Sequence, residues 1–310
     1  MRTAPLDAVT GAFSYSGTAI TAELRARGRG VRTLTNHPQT PTSDGSGPDE
    51  VCPLDFTDPG QLRASLTGID TLINTYWVRF PRAGTTFADA VANSQALFEA
   101  ATDAGVRRIV HLSIAHADPA SPYPYFAGKG LVEEHLAALP VSHAILRPAI
   151  LFGGQAVLLN NIAWLLRHLP VFAIGAHGTY RIRGIHLTDL ARLCADETDS
   201  NDNSLRDAVG PERPTFRDLV EALRDAVHSK AILLEIPGAL IPACATGAGL
   251  LLRDTLLTRD EYAAMADGLA DTTGPATGTT AVTDWIAQNG SWLGRRYLND
   301  TKTRLHPART

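Results

Sequence analysis

Val9–Thr10–Gly11–Ala12–Phe13–Ser14–Tyr15–Ser16–Gly17 is the stretch on which the reading of this chain turns. The run Asp7–Thr10 has the length of a strand and Thr18–Arg27 has helical spacing, so the two glycines fall in a strand-turn-helix junction. A dinucleotide needs a tight turn, close backbone approach to its pyrophosphate and a helix N-terminus aimed at it, which is why glycines recur at such junctions. Gly11 and Gly17 hold the outer positions and Ser14 the middle one, with Phe13 and Tyr15 as further cofactor-side candidates. An ordinary strand-to-helix turn is the competing reading.

Working outward, short apolar runs alternate with helical stretches. Strands are expected near Asp7–Thr10, Val31–Thr35, Val51–Leu54, Thr71–Asn74, Arg107–Leu112 and His143–Leu146. Helices are expected at Thr18–Arg27, at Phe87–Ala104, which stops before Gly105, and at Tyr125–Leu139, which Pro140 closes. Right-handed crossovers between six such strands give a doubly wound parallel α/β sheet, a Rossmann fold, whose ligand edge lies at the carboxyl ends of the strands. Residues 1–152 are read as this nucleotide-binding domain and 153–300 as a smaller C-terminal substrate lobe, with 301–310 a frayed tail. The lobe is expected to cover the ligand rim, with helices at Leu158–His168, Leu187–Glu197 and Thr215–Val227. One or two of its strands, around Tyr180–Ile185 and Asp207–Val209, are expected to return to the main sheet. Gln39–Glu50 reads as a polar surface loop.

Composition narrows the function classes. The 310 residues carry a net charge of -4, so no basic field exists to hold a nucleic acid. Cys52, Cys194 and Cys244 are too far apart for a disulfide framework or a CxxC metal pair, and a reducing cytoplasm is the expected compartment. No secretory signal pattern opens the chain. The uncharged stretch Ile236–Leu252 holds Pro237, Pro242 and three glycines, and a buried helix-turn-helix is favoured there over membrane contact. A small molecule is the expected partner, and the sequence leaves room for a homodimer.

Tyr125–Phe126–Ala127–Gly128–Lys129 is the strongest chemical signal. Residues four apart share one helix face, and a cation within about 4–6 Å lowers a phenol from its usual pKa near 10 toward neutrality. Lysine is rare here, at positions 129, 230 and 302 only, so a chance Tyr-x-x-x-Lys is expected about 0.07 times on random placement. Ser113 ends the fifth strand and could polarise a substrate carbonyl, while Asn93 could hold a water or a backbone carbonyl behind Lys129. Asn36 and His37 end the second strand where an NAD enzyme would place a carboxylate, so NADP is slightly favoured over NAD. Asp55 could hold the adenine edge, or simply open the next helix. Asn74 begins the rim loop Asn74–Pro81, whose Tyr76, Trp77 and Arg79 are substrate candidates together with Phe152. His111 and His116 are poorly spaced for a metal, and no metal site is expected.

Taken in order, Gly11-x-x-Ser14-x-x-Gly17, Asn93, Ser113, Tyr125-x-x-x-Lys129 and Arg147-Pro148 resemble the short-chain dehydrogenase/reductase superfamily in its extended or atypical branch. Arg181–Leu190 (RIRGIHLTDL) and Asp207–Phe216 (DAVGPERPTF) look like second-lobe segments of NmrA-like and nucleotide-sugar-epimerase-like proteins. Thr258–Glu261 and Trp285 are similar to bacterial relatives of the accessory Rossmann subunit of respiratory complex I. The resemblance spans residues 5–297 and departs from the usual pattern at Ser14, where a glycine is common. It implies that Tyr125 is the acid/base, that Lys129 binds the nicotinamide ribose and depresses the tyrosine, that Ser113 orients the substrate oxygen, and that Asn93 completes the relay. The implied activity is an NAD(P)-dependent oxidoreductase, or an epimerase working by transient hydride transfer. The alternative from another class is a non-catalytic NAD(P)-binding redox sensor or assembly protein.

Overall fold

A computed structural model describes residues 4–36, 47–81 and 84–299. His37, most of the expected polar loop and the tail 301–310 lie outside these. The chain divides into two compact units, residues 1–148 with 188–208, and residues 149–187 with 209–310.

In the first unit the elements run β1 (Leu6–Thr10), α1 (Tyr15–Ala26), β2 (Gly30–Thr35), β3 (Glu50–Pro53), α2 (Pro59–Leu66), β4 (Thr71–Asn74), α3 (Phe87–Asp103), β5 (Arg108–Leu112), α4 (Pro124–Ala138) and β6 (Ser142–Pro148). The chain then forms β7 (Ile150–Phe152), α5 (Val157–His168), β8 (Val171–Gly175) and β9 (Gly184–His186) in the second unit. It returns to the first through α6 (Leu187–Thr198) and β10 (Ser204–Ala208). It ends in the second with α7 (Phe216–Ala226), β11 (Ile232–Ile236), α8 (Ile241–Leu252), α9 (Arg259–Ala266) and α10 (Val282–Asn289).

All seven strands of the main sheet are parallel, in the order β10-β6-β5-β4-β1-β2-β3. β4 and β5 are buried along their whole length, as strands covered on both faces must be. Local chemistry sets the helix starts. Ser14 caps α1, Asp58 caps α2 ahead of Pro59, and Thr86 with Asp89 forms a capping box on α3. The helix expected after Asp55 is α2, which starts at Asp58-Pro59, an N-cap followed by an N1 proline.

The amino ends of the strands are tied by charge. Arg29 bonds Asp7 at 2.5 and 2.8 Å and Asp70 at 2.9 Å, and Arg107 bonds Asp70 at 2.9 and 2.8 Å. Arg108, fully buried, bonds Glu197 of α6 at 2.7 Å, which fastens the returning helix to β5.

The second unit holds two small parallel pairs, β7–β9 and β8–β11, around a core that includes Phe152, Leu166, Leu223, Trp285 and Ile286. Of the strands expected near Tyr180–Ile185 and Asp207–Val209, one returns to the main sheet, as β10 beside β6, while Gly184–His186 pairs with β7. One expectation is corrected here. The Ile236–Leu252 stretch is not buried. It forms a short 3-10 turn at Gly238–Leu240 and then α8, whose only buried residue is Gly249. The two-stranded ribbon beside it is too narrow to cover a twelve-residue helix on all sides.

Candidate active site

The β1–α1 turn is built as a phosphate cradle. Gly11 takes φ +66°, a left-handed conformation in which L side chains are strained. A Cβ on Gly17 would stand 2.1 Å from the Gly11 carbonyl oxygen, so only glycine lets α1 start so close to the turn. Ser14 keeps the helix start intact where the superfamily favours glycine, since its Oγ accepts the Gly17 N–H at 3.2 Å. Phe13 and Tyr15 flank this turn. A pyrophosphate, which asks for backbone N–H groups at a helix N-terminus and no side chain in the way, fits these residues.

Beneath the cradle, the ends of β1 and β4 are stitched together. Thr10 Oγ1 donates to Asn74 Oδ1 at 3.1 Å and accepts the N–H groups of Thr75 at 2.7 Å and Tyr76 at 3.1 Å. Asn74 Nδ2 lies 3.1 Å from His111 Nδ1 on β5. Burial, then the Lys129 charge, pushes the His111 imidazole well below its usual pKa, so the ring is neutral, and its Nε2 has no partner. Thr10 and His111 therefore belong to the rim, where the carboxyl ends of the first and fifth strands were expected to lie, although the sequence assigned neither side chain a contact there. A polar residue closing an otherwise apolar strand was the available signal.

Lys129 is 2% exposed. Its Nζ donates to the Leu112 carbonyl at 2.7 Å, one residue before Ser113, and stands 4.6 Å from the centre of the Trp77 ring. Burial lowers its pKa to about 7, with Glu133 acting in the opposite sense. Glu133 itself is ion-paired with Arg147, whose Nε donates to it at 2.9 Å, so the Arg-Pro segment on β6 braces α4. Ser113 is buried and its Oγ has no hydrogen-bond partner.

Tyr125 presents its ring edge-on to Trp77 at 5.9 Å and to Phe87 at 5.9 Å. Tyr125 and Lys129 thus meet the same indole. Gly128 makes this possible, because a Cβ there would stand 3.1 Å from Trp77. Asn93 Nδ2 donates to the Tyr76 hydroxyl at 2.9 Å, which places Asn93 on the rim loop. Burial raises the Tyr76 phenol, and the Asn93 bond opposes this.

Ser113, Tyr125, Lys129, Trp77 and Tyr76 with Asn93 are therefore gathered at the carboxyl ends of β4 and β5. Other candidates stand elsewhere. Asp55 is half-buried and accepts the Thr57 N–H at 2.8 Å and its hydroxyl at 2.6 Å, a local turn ahead of α2. Asn36 is exposed at the end of β2. Arg79 lies over Phe80, 5.6 Å from the ring centre. Phe152 sits in the core of the second unit, against His186 and Trp285. Among the described residues no group of three His, Cys, Asp or Glu could hold a metal ion, and no helix is long and apolar enough to cross a membrane.

Comparison with known proteins agrees with the cradle. Residues 11–160 match the family model described as NAD(P)H-binding. An uncharacterized protein of Mycobacterium tuberculosis is 28% identical over 218 residues, 70% of this chain and 23% of that protein. Subunit 9 of the NADH dehydrogenase [ubiquinone] 1 alpha subcomplex from Arabidopsis thaliana is 23% identical over 205 residues, 63% of this chain and 50% of that one. The chain thus spans a quarter to half the length of these relatives. Among solved structures, Citrobacter sp. triphenylmethane reductase complexed with NADP(H) superposes with a TM-score of 0.74 at 19% identity, covering 92% of this chain and 99% of that one. The chain carries an NAD(P)-binding domain with a Rossmann-like α/β fold.

Proposed function

We propose that this chain is an NAD(P)-dependent oxidoreductase, or an epimerase working by transient hydride transfer, that acts on a carbonyl or hydroxyl of a small organic molecule with Tyr125 as acid/base. The observation that carries the reading is Lys129, a buried ammonium whose head has no carboxylate on it and lies beside Ser113, one helical turn from Tyr125. A merely structural lysine would keep its charge in water.

Gly11, Ser14 and Gly17 would hold the dinucleotide, which when bound would supply the hydride chemistry. The chain's own groups handle the proton and the oxygen. Lys129 favours the ionised phenol of Tyr125, which brings its pKa toward the working pH, and Tyr125 then gives a proton to, or takes one from, the substrate oxygen. Ser113 Oγ, buried and unpartnered, donates to that oxygen and polarises it. Asn93 fixes Tyr76, and through it the rim loop that carries Trp77. With Asn36 where a carboxylate would oppose a 2′-phosphate, NADP is the favoured cofactor.

A second reading, binding without turnover, is favoured by the Trp77 ring lying on the Lys129 head and by the likeness to complex I subunits. The two readings separate in one experiment, in which NADPH and NADH are titrated by fluorescence and carbonyl compounds are then screened with wild type and Tyr125→Phe. The oxidoreductase reading expects tight NADPH binding in both proteins and turnover that falls about 10²- to 10⁴-fold in the variant. Tight binding with equal, negligible turnover would leave the binding-only reading, and failure to bind either nucleotide would remove both.

A further inference from the structure

Six of the large apolar side chains that remain exposed among the described residues fall in one region of the second unit, on β8, β11 and the 3-10 turn and helix that follow. Strand alternation shows why. In the register Ile232↔Val171 and Leu234↔Ala173, these residues point to one side of the ribbon while Leu233 packs inward on the core. Ile232 is 66% exposed, and Leu234 and Val171 are also exposed. Gly175 shares that face, and a Cβ there would stand 2.5 Å from Ile241, so α8 starts on the same side.

From there α8 runs out with Leu250 at 77% and Leu251 at 85% exposure. Taking about 180 Å² for a fully exposed leucine or isoleucine, the six side chains together present on the order of 650 Å² of apolar surface, the size of the largest patches, about 300–600 Å², on typical monomers.

The chemistry of this surface selects its occupant. No residue from Ile236 to Leu252 is charged, and the hydroxyl of Thr246 is satisfied inside the helix by the Pro242 carbonyl at 2.8 Å. A surface with no polar group to offer suits hydrocarbon, which can satisfy none, better than a protein partner, which would bring its own. Exposed cations bracket the stretch, with Lys230 before β11 and Arg253 after α8. The acid between them, Glu235, faces the other side of the strand and is ion-paired with Arg217 and His177. Of the acids that follow α8, Asp254 accepts the Tyr297 hydroxyl at 2.6 Å, and Asp260 and Asp267, on and just after α9, are exposed.

We propose that the outer face of the β8–β11 ribbon and the end of α8 dock on an anionic lipid surface. Leu250 and Leu251 enter the acyl boundary while Lys230 and Arg253 meet the headgroups, and a helix of twelve residues lies at that boundary without crossing it. The proposal is independent of the active-site reading.

The test is co-sedimentation of the full chain with vesicles of phosphatidylcholine alone or with about one third phosphatidylglycerol. The chain is expected to bind the anionic vesicles and to release them as salt rises. Leu250→Ser/Leu251→Ser should lower binding at least about tenfold with an unchanged thermal melt, and Lys230→Ala or Arg253→Ala about fivefold each. Binding to neither vesicle, or binding indifferent to the leucine pair, would overturn the proposal. So would a stable dimer that binds no vesicle and falls apart in the same leucine variant, which would make a second copy the occupant.

Discussion

The two ends of the main sheet solve the same problem in opposite ways. Both bring polar side chains out of water at the ends of buried strands. At the amino end each buried charge is met by its opposite, Asp7 and Asp70 by Arg29 and Arg107, and Arg108 by Glu197. Among the described residues the amino end leaves Arg108 Nε without a partner, whereas at the carboxyl end a buried ammonium has only a carbonyl and an indole, and Ser113 Oγ, His111 Nε2 and Trp77 Nε1 have none. Buried polar groups left unpaired cost stability, so an edge that concentrates them is a candidate for something other than stability. The ion-paired edge holds the sheet together, and the other is the edge proposed above to receive the ligand.

Substitutions at each end should separate these roles. The largest effect is expected from Tyr125→Phe, which should lower turnover about 10²- to 10⁴-fold while leaving the melting temperature and nucleotide affinity nearly unchanged. Glu197→Gln should do the reverse. It leaves Arg108 buried without its counter-charge, at a cost of about 3–5 kcal/mol read by chemical denaturation, with nucleotide affinity retained in the folded protein.

Lys129→Met should stabilise the protein. The wild-type lysine has its pKa lowered by burial to about 7, so below pH 7 both folded and unfolded chains carry the proton and the full cost of burying the ammonium is present. As pH rises above 7 only the unfolded chain stays protonated, wild-type stability gains, and the advantage of the variant, up to about 4 kcal/mol, should vanish near pH 10.5. Thermal melts of both proteins from pH 6 to pH 10.5 check this.

The smallest effect belongs to Asp70, which Arg107 above all holds down at about 2. Asp70→Asn should cost about 1 kcal/mol at pH 7, discounted for partial exposure, and the difference should disappear as pH falls from 4 to 2.

How much of this was legible in the sequence follows the same division. The glycine turn, the strand alternation and Tyr125-x-x-x-Lys129 are local patterns; the first two located the fold, and the third marked two residues that pack on Trp77. The Arg108–Glu197 tie joins residues 89 apart, and the stitch between Thr10 and Asn74 joins residues 64 apart, so neither leaves a local pattern to read. The aromatic packing of Trp77 on Lys129 depends on the bare backbone of Gly128, which read only as a spacer within the motif. The error on Ile236–Leu252 has a different cause. An uncharged helix reads as buried, but burial needs a partner surface, and the ribbon supplies one only at its end.

The most direct test of the division between the two edges is a fluorescence titration of NADPH into wild type, Lys129→Met and Glu197→Gln, each kept well below its melting temperature. If the carboxyl edge is the ligand edge, wild type and Glu197→Gln bind alike and Lys129→Met binds at least about tenfold more weakly, the weight of one charge-assisted hydrogen bond. Equal affinity in all three proteins, or loss of affinity in Glu197→Gln but not in Lys129→Met, would contradict it.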